Sequence, residues 1–354
     1  MRIGIPKEIK PLEGRVGLVP EASAEFVKAG HRVLLETGAG LASGYSDEHY
    51  RQYGIELLPD AAAVYEQAEL IVKVKEPYGP EPEMLRPEQV LFCYLHLAAD
   101  AELTRRLLAS GVTGVAFETL ADRGGLPLLA PMSDIAGRLA VQIGSNLLQR
   151  PAGGKGLLLG GLPAAERGRV VVIGAGQAGG NAVRMAAALG AEVTVFERKR
   201  ERMLEMRELG ANVTALYPYH ESLAEAVAGA DLLIGAVLIP GAKAPHLVTR
   251  EQVAGMAPGS VIVDISVDQG GCIETTRATD YTAPTYREEE VVHFAVTNMP
   301  GAVPRSASQA LSAALIPYVH QLTSPQWRDN PLLSAAVNLT NGVLVYPALR
   351  EQYL

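Results

Sequence analysis

Residues 170–197 constrain this chain more than any other stretch. They carry a strand, a glycine turn, a helix and a second strand in the order that a dinucleotide-binding unit requires. Val170-Val171-Val172-Ile173 is short, apolar and β-branched, the composition of a strand buried on both faces of a parallel sheet. It runs into Gly174-Ala175-Gly176-Gln177-Ala178-Gly179-Gly180. In that spacing Gly174 allows the tight turn, Gly176 lets the backbone approach a pyrophosphate, and Gly179 lets the next helix pack on the strand. Residues 181–189 are helix-forming and stop at Gly190, so the helix N-terminus would aim its amides and positive dipole end at the phosphates. Glu197 ends the second strand about 20 residues past the glycines, where a carboxylate grips an adenosine ribose diol. A glycine pattern alone is weak evidence; between a strand and a helix, with an acid at this distance, it predicts dinucleotide binding rather than a structural turn.

A carboxylate at the diol repels a 2′-phosphate, so Glu197 favours NAD over NADP. Arg198, Lys199, Arg200 and Arg202 follow at once, but Glu201 and Glu205 interleave with them, as on a solvated helix start. The chain of 354 residues is long enough for two domains with real cores. A net charge of −8 supplies no electrostatic footprint for nucleic acid or an anionic membrane surface. No apolar run reaches the roughly 18–20 residues of a membrane helix, and no signal-like apolar segment follows Met1, so a cytoplasmic location is expected. Cys93 and Cys272 stand far apart in apolar surroundings and read as buried thiols. The seven histidines form no metal-ligand spacing, so no metal is expected.

Before the fingerprint, strands and helices alternate. Strands are expected at 2–5, 31–36, 70–75, 90–95 and 112–118, with an extended piece at 15–20 and helices at 20–28, 61–67 (capped by Asp60) and 100–110 (capped by Asp100). An amphipathic helix over 134–149, following the loop 128–133, reads as a connecting or interface element, and the glycine-rich 151–168 as a surface turn. After Glu197 the alternation resumes, with strands at 212–215, 231–237, 260–266 and 291–296 and helices at 200–209, 222–228 and 250–256. Residues 307–322 are a helical run containing Pro317, and past Asn330 comes a short helix-like stretch with an unusual turn at 338–342. The expected fold is α/β, with two Rossmann-like domains of mostly parallel sheet. A nucleotide domain, 131–304, is inserted into a discontinuous substrate domain made of 1–130 and 305–354. A cleft between such domains can hold a cofactor and a small substrate.

Ligands of open α/β sheets sit beyond the carboxyl ends of the strands, where Lys75, His96 and Asp268 fall, with Arg15 at a turn beside another. Each has a plain alternative: Asp268 as a turn cap, His96 as a hydrogen-bonded structural residue, Lys75 and Arg15 as surface charges. Lys73 and Lys75, two apart in an apolar strand, would share one face.

Together these pieces resemble the L-alanine dehydrogenase family along nearly the whole chain. The matching motifs are Ile5-Pro6-Lys7-Glu8 with Arg15, Val74-Lys75-Glu76-Pro77, Tyr94-Leu95-His96-Leu97, the Gly174 fingerprint, and Gly235-Ala236-Val237 through Pro240-Gly241-Ala242-Lys243-Ala244-Pro245. Asp268-Gln269-Gly270-Gly271-Cys272 and Asn298-Met299-Pro300-Gly301 complete the set. The resemblance implies NAD-dependent oxidative deamination of L-alanine to pyruvate and ammonia, and the reverse. It implies Arg15 and Lys75 as substrate-binding residues, His96 as general acid/base and Asp268 as the acid that helps activate water or ammonia. It implies NAD contacts at Ser133, Gly174, Gly176, Gln177, Ala178, Gly179, Glu197, Arg202, Val237, Leu238, Ile265, Ser266, Val267, Asp268, Arg277, Val296, Thr297, Asn298 and Met299. It also implies a homo-oligomer, a hexamer in many relatives. Rival readings are the nucleotide-binding subunit of a proton-translocating transhydrogenase, a non-catalytic NAD-sensing protein, and a lysine-pathway reductase on the same scaffold.

Overall fold

The computed structural model describes residues 1–237 and 244–353, the side chain of Gln269 excepted. The chain forms two compact units, Met1–Met132 with Gly301–Leu354, and Ser133–Pro300. In the first, apolar β-branched runs build six parallel strands: β1 (Arg2–Ile5), β2 (Arg32–Glu36), β3 (Glu56–Leu58), β4 (Leu70–Val72), β5 (Val90–Cys93) and β6 (Thr113–Ala116). In the second lie β7 (Arg169–Ile173), β8 (Glu192–Phe196), β9 (Val213–Leu216), β10 (Leu232–Gly235), β11 (Val261–Asp264), β12 (Thr285–Glu288) and β13 (Val291–Phe294). The chain returns to the first sheet with β14 (Val337–Thr340) and β15 (Val343–Leu344).

The first sheet runs β15-β14-β6-β5-β4-β1-β2-β3, with β14 and β15 antiparallel. The second runs β12-β13-β11-β10-β7-β8-β9, with only β12 antiparallel among the described residues. Strands such as β4, β5, β10 and β11 are buried at every residue, as a sheet covered on both faces requires. Two helix starts carry the side-chain caps read from sequence: Asp60 accepts from the Ala63 amide and Asp100 from the Leu103 amide, each at 2.9 Å. Among the described residues no helix is long and apolar enough to cross a membrane.

Several expected elements differ. Residues 15–20 are not a strand. The amides of Val16 and Val19 instead donate to the Ser308 and Ser312 hydroxyls, both at 3.0 Å, on the helix Pro304–Leu322, so side chains rather than a strand ladder hold this piece. The strand expected over 70–75 stops at Val72, so Lys73 and Lys75 do not project from one strand face. Lys73 is buried against Glu8 and Glu81, whereas Lys75 stands beside Glu76 and His96. The connecting helix starts at Ala130 and ends at Leu147, because Pro131 is tolerated in a first turn, where its missing N–H has no intrahelical partner. The glycine-rich stretch after it is partly packed, with Leu159 buried and the Lys155 amide bonded to the Gly259 carbonyl. The short helix-like stretch past Asn330 is the helix Pro331–Ala335, and the turn at 338–342 belongs to the hairpin β14–β15. Asn341 and Gly342 both have positive φ, 50° and 75°, as a tight hairpin turn demands.

Candidate active site

In the first unit, three of the expected residues gather beyond the carboxyl ends of β1, β4 and β5. Arg15 lies in the irregular segment after β1, with its side chain 2% exposed and that of Glu13 0%. Its Nε donates to Glu13 Oε1 at 2.7 Å and its Nη2 to Oε2 at 2.5 Å, a fork that fixes the guanidinium plane. Burial works against the charge, yet the Glu13 bonds and the neighbouring carboxylates outweigh it and raise the Arg15 pKa.

Lys75 follows β4, with Nζ 3.5 Å from His96 Nε2 and 3.9 Å from Glu76 Oε2. Burial lowers the Lys75 pKa; Glu76 opposes this and Arg15 and Lys10 add to it, so the ammonium is easier to deprotonate than an ordinary lysine. Glu76 goes the other way. Desolvation would raise it, but Lys75, His96 and Lys10 pull its carboxyl down to about 2.

His96 is exposed and adopts a left-handed backbone, φ 48° and ψ 32°, unusual for a side-chain-bearing residue. Glu118, in the turn after β6, holds it there: the His96 amide donates to Oε1 at 2.7 Å and the Leu95 amide to the same oxygen at 3.1 Å. The imidazole stacks on Tyr94, with ring centroids 5.6 Å apart and planes 12° apart, and the Tyr94 hydroxyl donates to the Leu128 carbonyl. The result is a small array of cations and one imidazole over a base of carboxylates, suited to holding a small carboxylate-bearing molecule and moving a proton beside it. Glu13, Glu76, Tyr94 and Glu118 were not singled out from sequence as site residues. Their only signal is an acid or aromatic within a few residues of a strand end.

In the second unit, most of the expected nucleotide contacts lie past the carboxyl ends of five parallel strands. Gly174, Gly176, Gln177, Ala178 and Gly179 follow β7, Glu197 follows β8 and Val237 follows β10. Ile265, Ser266, Val267 and Asp268 follow β11, in a short 3-10 helix, and Val296, Thr297, Asn298 and Met299 follow β13. Leu238, with residues 239–243, lies outside the described residues.

Gly174 has φ +92°, and a Cβ on Gly179 would sit 1.8 Å from the Gly174 carbonyl oxygen, so turn and helix start can only be built without side chains. A Cβ on Gly176, the N-cap of the helix Gln177–Ala188, would instead meet nothing within 4 Å. That open cradle at a helix N-terminus fits a pyrophosphate. Glu197 is half-buried: Oε2 accepts from the Ala175 amide at 2.9 Å, and Oε1 from the Arg198 and Lys199 amides at 2.7 and 2.9 Å.

Ser133 lies in the helix Ala130–Leu147, where the next residue, Asp134, accepts from Gln177 Nε2 at 2.5 Å and Asn181 Nδ2 at 2.7 Å. The Gln177 side chain is therefore already engaged with protein. The Ser266 hydroxyl accepts from the Val237 amide at 2.8 Å, and buried Asp264 accepts from the Ser266 and Cys272 amides, both at 2.9 Å. This knits the loop that carries exposed Asp268. Arg202 pairs with Glu205 on an exposed helix face, and Arg277 lies over the Tyr286 ring, 3.8 Å from its centroid, at the β12 edge. Both cysteines are buried thiols, one in each unit.

Comparison with known proteins covers nearly the whole chain. Residues 4–136 match the family model "Alanine dehydrogenase/PNT, N-terminal domain", and residues 140–347 match "Alanine dehydrogenase/PNT, C-terminal domain". The chain is 48% identical to the alanine dehydrogenase of Bacillus subtilis, over 99% of this chain and 94% of that one. A solved L-alanine dehydrogenase superposes with a TM-score of 0.96 at 46% identity, covering 100% of this chain and 99% of that one. A transhydrogenase from Sinorhizobium meliloti is similar at a TM-score of 0.86 and 28% identity, over 98% of this chain and 100% of the other.

Proposed function

The chain belongs to the alanine dehydrogenase/PNT family, and we propose that it catalyses the NAD-dependent oxidative deamination of L-alanine to pyruvate and ammonia, and the reverse reductive amination. The observation that carries this reading is the Lys75–His96 pair, 3.5 Å apart, with the Glu13-held Arg15 in the same unit. A carboxylate, a carbonyl oxygen and a transferable proton can all be served there. The higher identity to alanine dehydrogenases, 46–48% against 28% for the transhydrogenase, favours deamination over transfer between nucleotides. The unit Met1–Met132 with Gly301–Leu354 is taken as the substrate domain and Ser133–Pro300 as the NAD domain.

When bound, NAD accepts the hydride that leaves the substrate Cα. The cradle at Gly174, Gly176 and the start of the helix Gln177–Ala188 would hold its pyrophosphate, and Glu197 its adenosine ribose. Arg15 holds the substrate carboxylate through charge and planar hydrogen bonding. Lys75 faces the developing carbonyl oxygen. His96 exchanges the proton that must leave the amine or the attacking water as the imine is hydrolysed. Asp268 orients that water, or ammonia in the reverse direction. We propose a cytoplasmic homo-oligomer, a hexamer, with the helix Ala130–Leu147 as an assembly element; light scattering on the purified protein measures this directly.

The test is the absorbance of reduced nicotinamide with purified protein, NAD and L-alanine, against NADP, glycine, L-lysine and no amino acid. Reduction of NAD with L-alanine is expected. No reduction despite measurable NAD binding would overturn the reading in favour of hydride transfer between nucleotides or a sensing role.

A further inference from the structure

We propose that Glu8 is a positioning residue of the substrate site, fixing where Lys75 leaves the sheet; this rests on the reading of Lys75 as a substrate-binding residue. Glu8 lies just past β1, and β1 pairs in parallel with β4. The β4 strand stops at Val72, so residues 73–75 run on without a ladder to β1. On the β5 side the backbone still supports them: the Lys73 amide donates to the Phe92 carbonyl at 3.2 Å and the Tyr94 amide to the Val74 carbonyl at 3.0 Å. On the β1 side Glu8 takes the place of a strand. Its Oε1 accepts from the Val74 amide at 2.5 Å and lies 3.3 Å from the Lys75 amide.

Among the described residues the other carboxylate oxygen accepts no hydrogen bond and is held by charge alone. Glu8 Oε2 stands 3.3 Å from Lys73 Nζ, and the same ammonium donates to Glu81 Oε2 at 2.9 Å. Glu81 is held in turn by the Tyr65 hydroxyl at 3.0 Å and the Tyr78 amide at 2.7 Å. The side chains of Glu8, Lys73 and Glu81 are 2%, 1% and 1% exposed. A buried cluster of this kind is costly unless its geometry is well satisfied, and two carboxylates share one ammonium here. Of the two carboxylates that share the Lys73 ammonium, only Glu8 also grips the Val74 and Lys75 amides. Lys73 also donates to the Glu76 carbonyl at 3.4 Å, next to Lys75.

The geometry separates positioning from a merely structural role. Glu8→Gln keeps an acceptor oxygen for the Val74 and Lys75 amides and leaves Lys73 paired with Glu81, but sets its Nε2 donor against the Lys73 ammonium, a cost read in the melting temperature. Glu8→Asp keeps the charge but withdraws the carboxylate by about 1.5 Å, one C–C bond, so it cannot reach both the amides and Lys73. Steady-state kinetics with L-alanine and NAD, and with pyruvate and ammonium, together with a melting temperature, distinguish the two. Glu8→Asp is expected to raise KM for alanine and pyruvate at least tenfold with KM for NAD changed less than twofold; Glu8→Gln is expected to stay within threefold of the unsubstituted protein. Glu8→Ala should follow Glu8→Asp, and if it does not fold the aspartate variant decides alone. A folded Glu8→Asp with unchanged KM for alanine, or with KM for NAD raised in equal measure, overturns the proposal. Absence of alanine-dependent NAD reduction by the unsubstituted protein would overturn the assigned reaction itself, a result distinct from any effect of a Glu8 variant.

Discussion

The candidate sites of the two units are built from different materials. In the first unit the working groups are side chains held by one another, all nearly buried but the exposed His96: Arg15 by Glu13, Lys75 near Glu76 and His96, and the His96 backbone by Glu118. In the second unit the working groups are mostly backbone. A glycine turn, a helix N-terminus and amides gathered by Glu197 and Asp264 do the holding. One device is common to both: a carboxylate past one strand takes an amide from the end of the neighbouring strand. Glu118 does this across β6 and β5, and Glu197 across β8 and β7. The charge-built half is sensitive to losing any one partner, because a buried charge left alone is expensive. The backbone-built half tolerates many side chains but has no room for a new Cβ where the chain closes on itself.

The largest effect should come from removing the one group in the charge-built half that moves a proton. His96→Ala is expected to lower turnover by roughly two to four orders of magnitude, the usual share of general acid–base catalysis. NAD affinity, measured by fluorescence titration, should be unchanged. Wild-type turnover would remove His96 from the mechanism, and lost NAD binding would mean that the two halves are not energetically separable.

Acid should expose the same contrast. The Glu76 carboxyl is depressed to about 2 by Lys75, His96 and Lys10, against the desolvation that would raise it. Its contribution is therefore present above the unfolded-state glutamate pKa and is lost as pH falls from about 4.5 towards 2. A shift of this size corresponds to roughly 3 kcal/mol. Urea unfolding followed from pH 5 down to pH 2.5 should show that slope in the unsubstituted protein and a shallower one in Glu76→Gln. Parallel slopes would mean that Glu76 titrates alike in both states. In the backbone-built half the matching lesion is Gly179→Ala. Its Cβ would fall 1.8 Å from the Gly174 carbonyl oxygen, so helix and turn must separate. A cost of about 1–3 kcal/mol, as for overpacking, should accompany NAD binding weakened by tenfold or more. Unchanged NAD affinity would show that the turn relaxes without losing the cradle.

The same contrast explains what could be read from the chain. Each fingerprint glycine encodes a backbone requirement within a few residues of itself, so the turn, the helix and the parallel strands around them were legible. The charged half depends on partners distant in sequence, Glu118 for residues 95–96 and Glu8 for residues 74–75, and no local pattern announces them. The irregular path of residues 15–20 escaped for the same reason, since its acceptors, Ser308 and Ser312, lie nearly three hundred residues away. The turn of the hairpin β14–β15 was legible, because Asn341-Gly342 is a strong local signal; its strands, four and two residues long, are too short for alternation to show.

Glu197 is where the two materials meet, and the smallest expected effect is the sharpest test of the comparison. Its carboxylate already accepts from the amides of Ala175, Arg198 and Lys199, so it could serve only as a pin for the glycine loop. As a ribose ligand it would also act through charge, repelling a 2′-phosphate that Arg198, Lys199 and Arg202 would otherwise attract. Glu197→Gln separates the two, because it keeps the shape and one acceptor while removing the charge. If the charge contributes, the ratio of kcat/KM for NAD to that for NADP should fall about tenfold, an effect of about 1.4 kcal/mol, with most of it in the gain for NADP. If Glu197 is only a pin, both cofactors should weaken together and the ratio should hold. The nucleotide half would then be backbone-built throughout, with its preference among dinucleotides set by a group other than Glu197.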